Sequence, residues 1–339
     1  MTIEFGFIPA DDPERWNAAL AAMPHGWWHT WPACHALESP GGPIRLCVAR
    51  DDDGVLAAAP VAVREWRGHR HLYTPAGFSG FAAARPLPAD FAARRAAFAA
   101  ARGYVAGYFA LHPRFAVRSA HAGVTADNEL FLLDLRAGAD AVLARADRSV
   151  RRAVRAAGRA GTTFVTDRAL LTRFVRANYA SCLRALGATP SWSDAALEAM
   201  CADPAMWLVG VDDGEGLCAV HTFAIAGDTA EFHLNLSIRD GRAHTTAMID
   251  RGLRELCARG IAWAHLGGGM ARGDALARAK LKFRPVSVPL ERAREVYRPD
   301  VYAALCREAG VDPAVSRWHP AYAGPAADAG VARPGAPTP

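Results

Sequence analysis

Apolar residues follow regular spacings along the second half of the chain. Helical spacing predicts five helices there, and alternation of apolar and polar positions predicts six strands. The predicted helices cover residues 140–159, 169–186, 193–201, 245–259 and 274–283. The predicted strands cover residues 129–135, 162–165, 207–211, 217–226, 230–238 and 261–266. A meander of three strands placed between helices is typical of an α+β fold.

The first half repeats this order in a weaker form. We predict a helix at 12–23, a hairpin of strands 44–48 and 55–63, and a helix at 91–102 followed by a strand at 104–111. The sequence therefore predicts two similar domains in tandem, residues 1–126 and 127–320, each a mixed, mostly antiparallel sheet flanked by helices. Residues 321–339 are rich in Ala, Gly and Pro, and we predict a disordered tail there.

The composition is that of a globular protein with room for sizeable cores. The chain has 339 residues, of which 51% are hydrophobic and 22% charged. It has no apolar run of about 18 residues, no signal-peptide pattern at its start, and seven scattered cysteines without a C-x-x-C. We therefore expect a cytoplasmic protein with no membrane insertion. The formal net charge of +5 permits an anionic partner but does not require one.

Lysine is nearly absent from the chain. Of its 39 lysines and arginines, only Lys280 and Lys282 are lysines. Lys280 follows three glycines that end a predicted strand, Gly267, Gly268 and Gly269. Glycines let a backbone approach a substrate closely, and a lysine beside that backbone can neutralise an oxyanion or a phosphate. A flexible turn with a solvated lysine is the alternative interpretation.

This stretch carries a family resemblance. A strand, glycines, a spacer and a short helix with Lys280-x-x-Phe283 resemble the C-terminal signature of Fem-type peptidyltransferases and related proteins of the acetyltransferase (GNAT) superfamily. Further matches occur in order over residues 128–322, and more faintly over the first half. They are Leu133-Asp134-Leu135, the basic segment Ser149 to Arg155 with Ala160-Gly161, the hairpin Gly214 to Ala226 with Phe232 to Ser237, and Trp318-His319-Pro320-Ala321-Tyr322.

The resemblance implies two tandem GNAT-like domains and a defined reaction. An aminoacyl group would pass from aminoacyl-tRNA to an amine, on a cell-wall precursor or a small natural product, with no cofactor beyond that co-substrate. Lys280 matches the lysine that stabilises the charge developing during transfer. The chain departs from the family at Ala279, where an aromatic residue is usual, and it lacks the long coiled-coil insertion of some members.

Arginines recur along the predicted helix 140–159. Their spacing places five of them on one helical face, with apolar residues on another. The five are Arg145, Arg148, Arg152, Arg155 and Arg159. The pattern fits a solvated face of a packed helix, and it also fits a surface that contacts phosphates or the tRNA backbone. The resemblance places a basic pair at Arg151 and Arg152. Our candidates for tRNA or phosphate binding are Arg148, Arg151, Arg152, Arg155 and Lys282.

Polar residues alternate with apolar ones along the strand 230–238, so several side chains are expected to face one cleft. Together with residues of the preceding helices they predict a pocket for the acceptor, although a histidine in a strand often has only a structural role. Our candidates for substrate binding are Tyr179, Trp192, His221, His233, Asn235, Ser237, Gly267, Gly268 and Gly269.

Motifs of several other enzyme classes are missing. The sequence has no P-loop, no H-E-x-x-H and no G-x-S-x-G, and we expect no metal site and no DNA partner. The segment 238–243 half resembles the pyrophosphate loop of acyl-CoA-dependent acetyltransferases, with Ile238 where an arginine or glutamine is expected. Three functions stay open: an aminoacyl-tRNA-dependent aminoacyltransferase, which we favour, an acyl-CoA-dependent N-acyltransferase, and a non-catalytic binding protein on a decayed transferase fold.

Overall fold

The computed structural model of the chain describes residues 2–37 and 43–324. In chain order its strands are β1 Glu4–Pro9, β2 Ile44–Asp51, β3 Gly54–Trp66, β4 His69–Tyr73, β5 Ala82–Ala83, β6 Tyr104–Ala110, β7 Val124–Asp134, β8 Thr163–Val165, β9 Met206–Asp212, β10 Leu217–Ala226, β11 Thr229–Ser237, β12 Trp263–Gly268 and β13 Val286–Val296. Its α-helices are α1 Pro13–Leu20, α2 Trp31–His35, α3 Phe91–Ala101, α4 Ala139–Arg145, α5 Arg148–Arg159, α6 Arg168–Ala185, α7 Asp194–Ala202, α8 Thr245–Ala258, α9 Ala275–Leu281 and α10 Pro299–Glu308. The described residues form two compact units, residues 2–126 with 290–324, and residues 127–289.

The first unit is built on a sheet in the order β1-β2-β3-β4-β6-β13, with β5 beside β3. Neighbouring strands are antiparallel except β4 and β6, which are parallel. The predicted hairpin of β2 and β3 is confirmed. Asp51 pairs with Gly54 across its end, the Asp51 side chain accepts the Asp53 N–H at 3.0 Å, and Gly54 has a φ of +106°. Glycine adopts this φ without strain.

A buried charge network holds the first unit together. The Arg95 guanidinium donates to Glu295, and both side chains are 2% exposed. Glu295 also accepts a hydrogen bond from the Tyr297 hydroxyl at 2.6 Å and one from the His121 ring at 3.3 Å. Burial raises the pKa of the Glu295 carboxyl, but Arg95 and His121 outweigh burial and hold this pKa at about 2. Because each charge has its partners, the cluster has a structural role.

The last described part of the chain differs from the predicted domain division. Residues 290–320 were expected in the second domain, whereas the structure places 290–324 in the first unit. The reason is long-range pairing, because β13 runs antiparallel to β6 from Arg292 opposite Ala110 onward. The predicted tail also begins too early. Tyr322 is fully buried in a cluster of side chains with Trp66, while residues 325–339 lie outside the described residues.

The second unit is built on a sheet in the order β7-β12-β11-β10-β9-β8. All neighbours are antiparallel except β11 and β12, which are parallel and joined through α8. Two helices, a three-stranded meander, a helix, a strand and a helix follow one another as predicted. Side chains of β9, β10, α4, α5 and α8 share one buried core. Among the described residues, no helix combines the length and apolar character needed to cross a bilayer.

The prediction of a single helix at 140–159 is wrong, because the structure has two helices there, α4 and α5. As a result Arg145 lies on a different helix from the other four arginines. Ala146 and Asp147, between α4 and α5, are extended, with ψ of 160° and 151°. Ala146 is buried, and the Asp147 N–H donates to the Lys282 carbonyl at 2.8 Å. Arg145 therefore ends α4, where it donates to the Asp134 carbonyl at 3.4 Å, and does not share a face with the arginines of α5.

Candidate functional site

The parallel strands β11 and β12 part at their carboxyl ends. They pair only from Thr229 opposite Trp263 to Glu231 opposite His265. Beyond this point β11 stays with β10, and β12 stays with β7. In open sheets, ligands bind at the carboxyl ends of parallel strands where neighbours diverge. This gap is therefore the candidate site, and the glycines at the end of β12 lie at its edge.

A side chain would be strained or crowded at each of the three glycines. Gly267 has a φ of +73°, and a Cβ there would lie 3.2 Å from the Lys280 Nζ. A Cβ on Gly268 would lie 2.5 Å from the Glu129 carbonyl oxygen of β7. A Cβ on Gly269 would collide with the Asp274 carboxylate. The three glycines therefore pack closely against protein atoms in this turn, and the approach of a substrate to their backbone stays a prediction.

Lys280 lies on the buried side of α9 and points at this turn. Its side chain is nearly buried, and its ammonium donates to the Gly268 carbonyl at 2.6 Å. Burial lowers the pKa of Lys280 to about 8, against the opposing effect of the Asp274 carboxylate. Lys280 is thus a directed donor and not the solvated lysine of the alternative interpretation. An ammonium has three N–H donors, of which Gly268 takes one.

Two residues that sequence reasoning did not select fix the glycine turn. The Asp274 carboxylate accepts N–H bonds from Met270 at 2.7 Å and from Ala277 at 2.7 Å, so it caps α9 and closes the loop before it. The Asn128 amide donates to the Gly269 carbonyl at 3.0 Å. Asp274 has a recognisable signal, since an Asp before a short helix is a common N-cap. Asn128 comes from a distant strand and has none.

Four arginines of α5 are exposed and face solvent together. They line a surface depression of about 320 Å³, joined by Arg151. No acidic side chain of the described residues pairs with them. We call this surface the arginine face, which consists of Arg148, Arg152, Arg155 and Arg159. Unpaired guanidinium groups in one row form a site suited to several phosphates.

Arg151 has a different position from the one predicted. It is half-buried, and its guanidinium donates to the Ala144 carbonyl at 3.2 Å and to the Ala146 carbonyl. These carbonyls lie at the end of α4, where helix carbonyls lack partners within the helix. Arg151 therefore joins α4 to α5 and is not free for a ligand.

The arginine face adjoins the end of α9. Besides the bond between Asp147 and the Lys282 carbonyl, the Arg284 guanidinium lies 2.6 Å from the Asp147 carboxylate. Lys282 is exposed, and Arg148 directly follows Asp147. The predicted tRNA-binding residues, apart from Arg151, are thus exposed, and the start of α5 meets the end of the helix that carries Lys280.

The residues predicted to line one acceptor pocket fall into two groups. In the first, the Trp192 ring stacks on Tyr179 at 5.7 Å and on His233 at 5.0 Å between ring centroids. The indole is therefore engaged in two ring contacts within the protein. Burial lowers the pKa of His233 to about 3, and its Nε2 lies 3.2 Å from the Met200 sulfur.

The second group lies where strand alternation breaks. The pairing of β10 with β11 shifts between His221 and Phe223. His221 is fully buried against Phe232, with 4.9 Å between ring centroids. Burial lowers its pKa to about 3, opposed by the side chain of Asn235, which lies opposite it on β11. His221 is therefore neutral and shielded from solvent, whereas Asn235 is exposed and accepts the Ser237 hydroxyl at 3.4 Å.

The segment 238–243 is anchored to a neighbouring turn. The Arg239 guanidinium holds the Asp213 carboxylate at 3.1 Å and the Gly216 carbonyl at 3.2 Å. A Cβ on Gly241 would collide with the Cys218 carbonyl oxygen, so the backbone lies flat against β10. The arginine nearest to the expected pyrophosphate-binding position is thus already engaged.

Comparison with known proteins gives a fold and no closer assignment. Neither a protein-family model nor a curated protein matches the sequence. The crystal structure of FemX is similar with a TM-score of 0.65 and 12% identity, over 89% of this chain and 99% of that chain. The C-terminal domain (DUF2156) of a putative lysylphosphatidylglycerol synthetase from Agrobacterium fabrum is similar with a TM-score of 0.57 and 15% identity, over 88% and 96%.

A third similar structure is L-PGS from Bacillus licheniformis, with a TM-score of 0.57 and 14% identity, over 87% of this chain and 96% of that chain. These likenesses extend across both units, and they confirm the predicted α+β fold of Fem type. The chain therefore has the fold of FemX and of the lysylphosphatidylglycerol synthetase domain.

Proposed function

We propose that the chain is an aminoacyltransferase that forms an amide bond between an aminoacyl group, donated by aminoacyl-tRNA, and an amine of a small-molecule or cell-wall-precursor acceptor. The observation that carries the proposal is the position of Lys280. Its buried ammonium lies on the Gly268 carbonyl at the gap between β11 and β12, and the end of its helix adjoins the start of α5, which carries the arginine face. The names of the similar structures support an acyl-transfer role, since lysylphosphatidylglycerol is an aminoacyl ester of a lipid.

The reaction would need little beyond placement and charge stabilisation. The acceptor amine attacks the ester carbonyl of aminoacyl-tRNA, and a tetrahedral oxyanion forms. The bond to the ribose oxygen then breaks, an amide results, and the proton lost by the amine ends on the ribose hydroxyl. Lys280 would donate to the oxyanion through an N–H that Gly268 does not use. Removing one such donor typically costs a factor of about 10²–10³ in rate.

The arginine face would hold the donor RNA. From Arg148 to Arg159 it extends about 16 Å along α5, at about 1.5 Å per residue. That length accommodates several consecutive phosphates, and contacts to phosphates position an RNA without reading its sequence. Lys282 extends this surface toward α9.

The test is amide formation with charged total tRNA and a panel of amines, followed by mass spectrometry with and without ribonuclease. We expect product that disappears with ribonuclease and falls at least a hundredfold in Lys280→Met. The double variant Arg152→Gln/Arg155→Gln should weaken tRNA binding. Arg173→Gln serves as its matched control, because Arg173 is an exposed arginine on α6 of the same unit.

Two outcomes would contradict the proposal. Ribonuclease-insensitive turnover with an acyl-CoA would instead establish an acyl-CoA-dependent N-acyltransferase, a result that the engagement of Arg239 does not favour. Unchanged activity and ligand affinity in a folded Lys280→Met variant would favour a binding protein.

A further inference from the structure

Large apolar side chains are exposed around the helix that carries Lys280. Among the described residues, eight such side chains are exposed, and four of them lie within residues 270–286. The four are Met270 (72% exposed), Leu276 (45%), Leu281 (37%) and Val286 (55%). Isolated exposed apolar residues are ordinary, but a local concentration marks an interaction surface.

The same stretch is rich in cations. Arg272, Arg278 and Lys282 are exposed, and no acidic side chain of the described residues pairs with them. The one acid of the stretch, Asp274, is engaged with the backbone N–H groups of Met270, Ala271 and Ala277. We call residues 270–286 the basic–apolar segment.

The chemistry of this segment narrows the choice of partner. Cations alone would also suit RNA, but the exposed apolar groups of RNA-binding surfaces are typically aromatic rings on which bases stack. The exposed apolar groups of residues 270–286 are aliphatic, and the one aromatic residue, Phe283, is buried. A second copy of the chain would bring like charges together, which disfavours association. Aliphatic side chains among Arg and Lys match the surface of an anionic bilayer, where cations meet headgroups and apolar groups enter the interface.

We propose that the basic–apolar segment docks on the surface of an anionic lipid bilayer. Docking of this kind lies on the membrane and needs no spanning helix. It would place the gap beside Lys280 close to the headgroups, so that an acceptor amine carried by a membrane-bound molecule could reach it. The docking itself does not depend on the reaction proposed above.

The test is co-sedimentation of the full chain with vesicles of phosphatidylcholine, with and without phosphatidylglycerol. We expect binding only to vesicles with phosphatidylglycerol, reduced by high salt. The triple variant Met270→Ser/Leu276→Ser/Val286→Ser should bind roughly tenfold more weakly, since interfacial affinity scales with buried apolar area. The control variant Leu170→Ser/Leu186→Ser changes two exposed leucines of the same unit outside the segment and should bind normally.

Several results would overturn the inference. One is the absence of binding to phosphatidylglycerol vesicles, and another is equal binding by the triple variant. A third is loss of vesicle binding in Arg152→Gln/Arg155→Gln alone, which would assign the attraction to the arginine face. If the triple variant weakened tRNA binding or abolished a dimer in sedimentation instead, the partner would be RNA or a second copy. Ribonuclease-sensitive turnover of a water-soluble amine without vesicles would still test the reaction separately.

Discussion

Replacing Lys280 by methionine should stabilise the protein at neutral pH while removing its activity. The pKa of Lys280 falls from 10.5 to about 8, chiefly because burial disfavours the ammonium. At 1.36 kcal/mol per unit, holding the charged form in the folded state costs about 3 kcal/mol at pH 7. The Gly268 carbonyl would lose a hydrogen bond, a net loss of about 1 kcal/mol. The expected gain in the free energy of unfolding is therefore about 2 kcal/mol.

The pH dependence follows from the direction of the shift. Between about pH 8 and 10.5 the unfolded chain holds a proton on Lys280 that the folded chain has released. Stability of the wild-type protein attributable to this residue therefore rises with pH over that window and is lowest below it. The advantage of Lys280→Met should accordingly be full at pH 7, shrink as the pH rises above about 8, and by pH 10.5 give way to a disadvantage of up to about 1 kcal/mol from the lost hydrogen bond.

Urea unfolding of both proteins at pH 7 and pH 10.5 would measure this difference, because other titrating groups are common to both and cancel. Hydrogen exchange of peptides covering α9 would show that the change arises in the second unit. A Lys280→Met variant that is less stable than wild type at pH 7, or a difference that does not change with pH, would refute the argument. Either result would mean that the ammonium is not desolvated as its burial implies.

Three further predictions concern other parts of the molecule. Gly268→Ala should destabilise the second unit by about 1–3 kcal/mol, because its Cβ would press on the Glu129 carbonyl. Gly158→Ala, at a position on α5 where a Cβ meets no other atom, should instead stabilise this unit by about 1 kcal/mol. Thermal unfolding of the two variants measures both effects. Arg152→Gln/Arg155→Gln should lower the slope of log affinity for tRNA against log salt by about 2, measured by fluorescence anisotropy, and an unchanged slope would remove these arginines from the RNA contact. Glu295→Gln should cost about 3–5 kcal/mol near neutral pH by leaving Arg95 buried without its partner. Because the pKa of Glu295 falls from 4.5 to about 2, this cost should shrink as the pH falls through that window, and a cost that stays constant in acid urea unfolding would contradict the ion pair.

Local sequence patterns predicted most of the helices and strands of the second unit. The order of helices and strands and the Asp51–Gly54 hairpin of the first unit depend on local spacing and turn chemistry, which single residues reveal. Lys280 could be selected because lysine is so rare in this chain. Features that depend on residues far apart in the sequence could not be predicted from local patterns. The break at Ala146 and Asp147 arises from a bond to Lys282, more than a hundred residues away in the sequence.

The two hairpin histidines illustrate the same limit. Alternation alone would place His233 and Asn235 of β11 on the same face of the sheet, but the register shift beside His221 interrupts the alternation. Which side of a bulge a residue takes depends on the strand opposite, so period-two reasoning fails there. Glu231 and His265 pair across the parallel ladder at the point of divergence, and both are buried. This pairing could be predicted only with the knowledge that β11 and β12 are neighbouring strands.

The surroundings of Lys280 explain why an arginine-rich chain keeps a lysine here. The ammonium lies 2.6 Å from one carbonyl, and even a Cβ on Gly267 would approach it to 3.2 Å, so the space fits a compact group. A guanidinium is planar, carries five donors in a rigid fork and stays charged at any pH that a protein encounters. Placed in this spot, it would leave donors without partners and could not release its proton to offset burial. The site therefore needs a compact cation with a pKa close to neutral pH, held at the end of β12 by a short helix. Lysine supplies such a group and arginine does not.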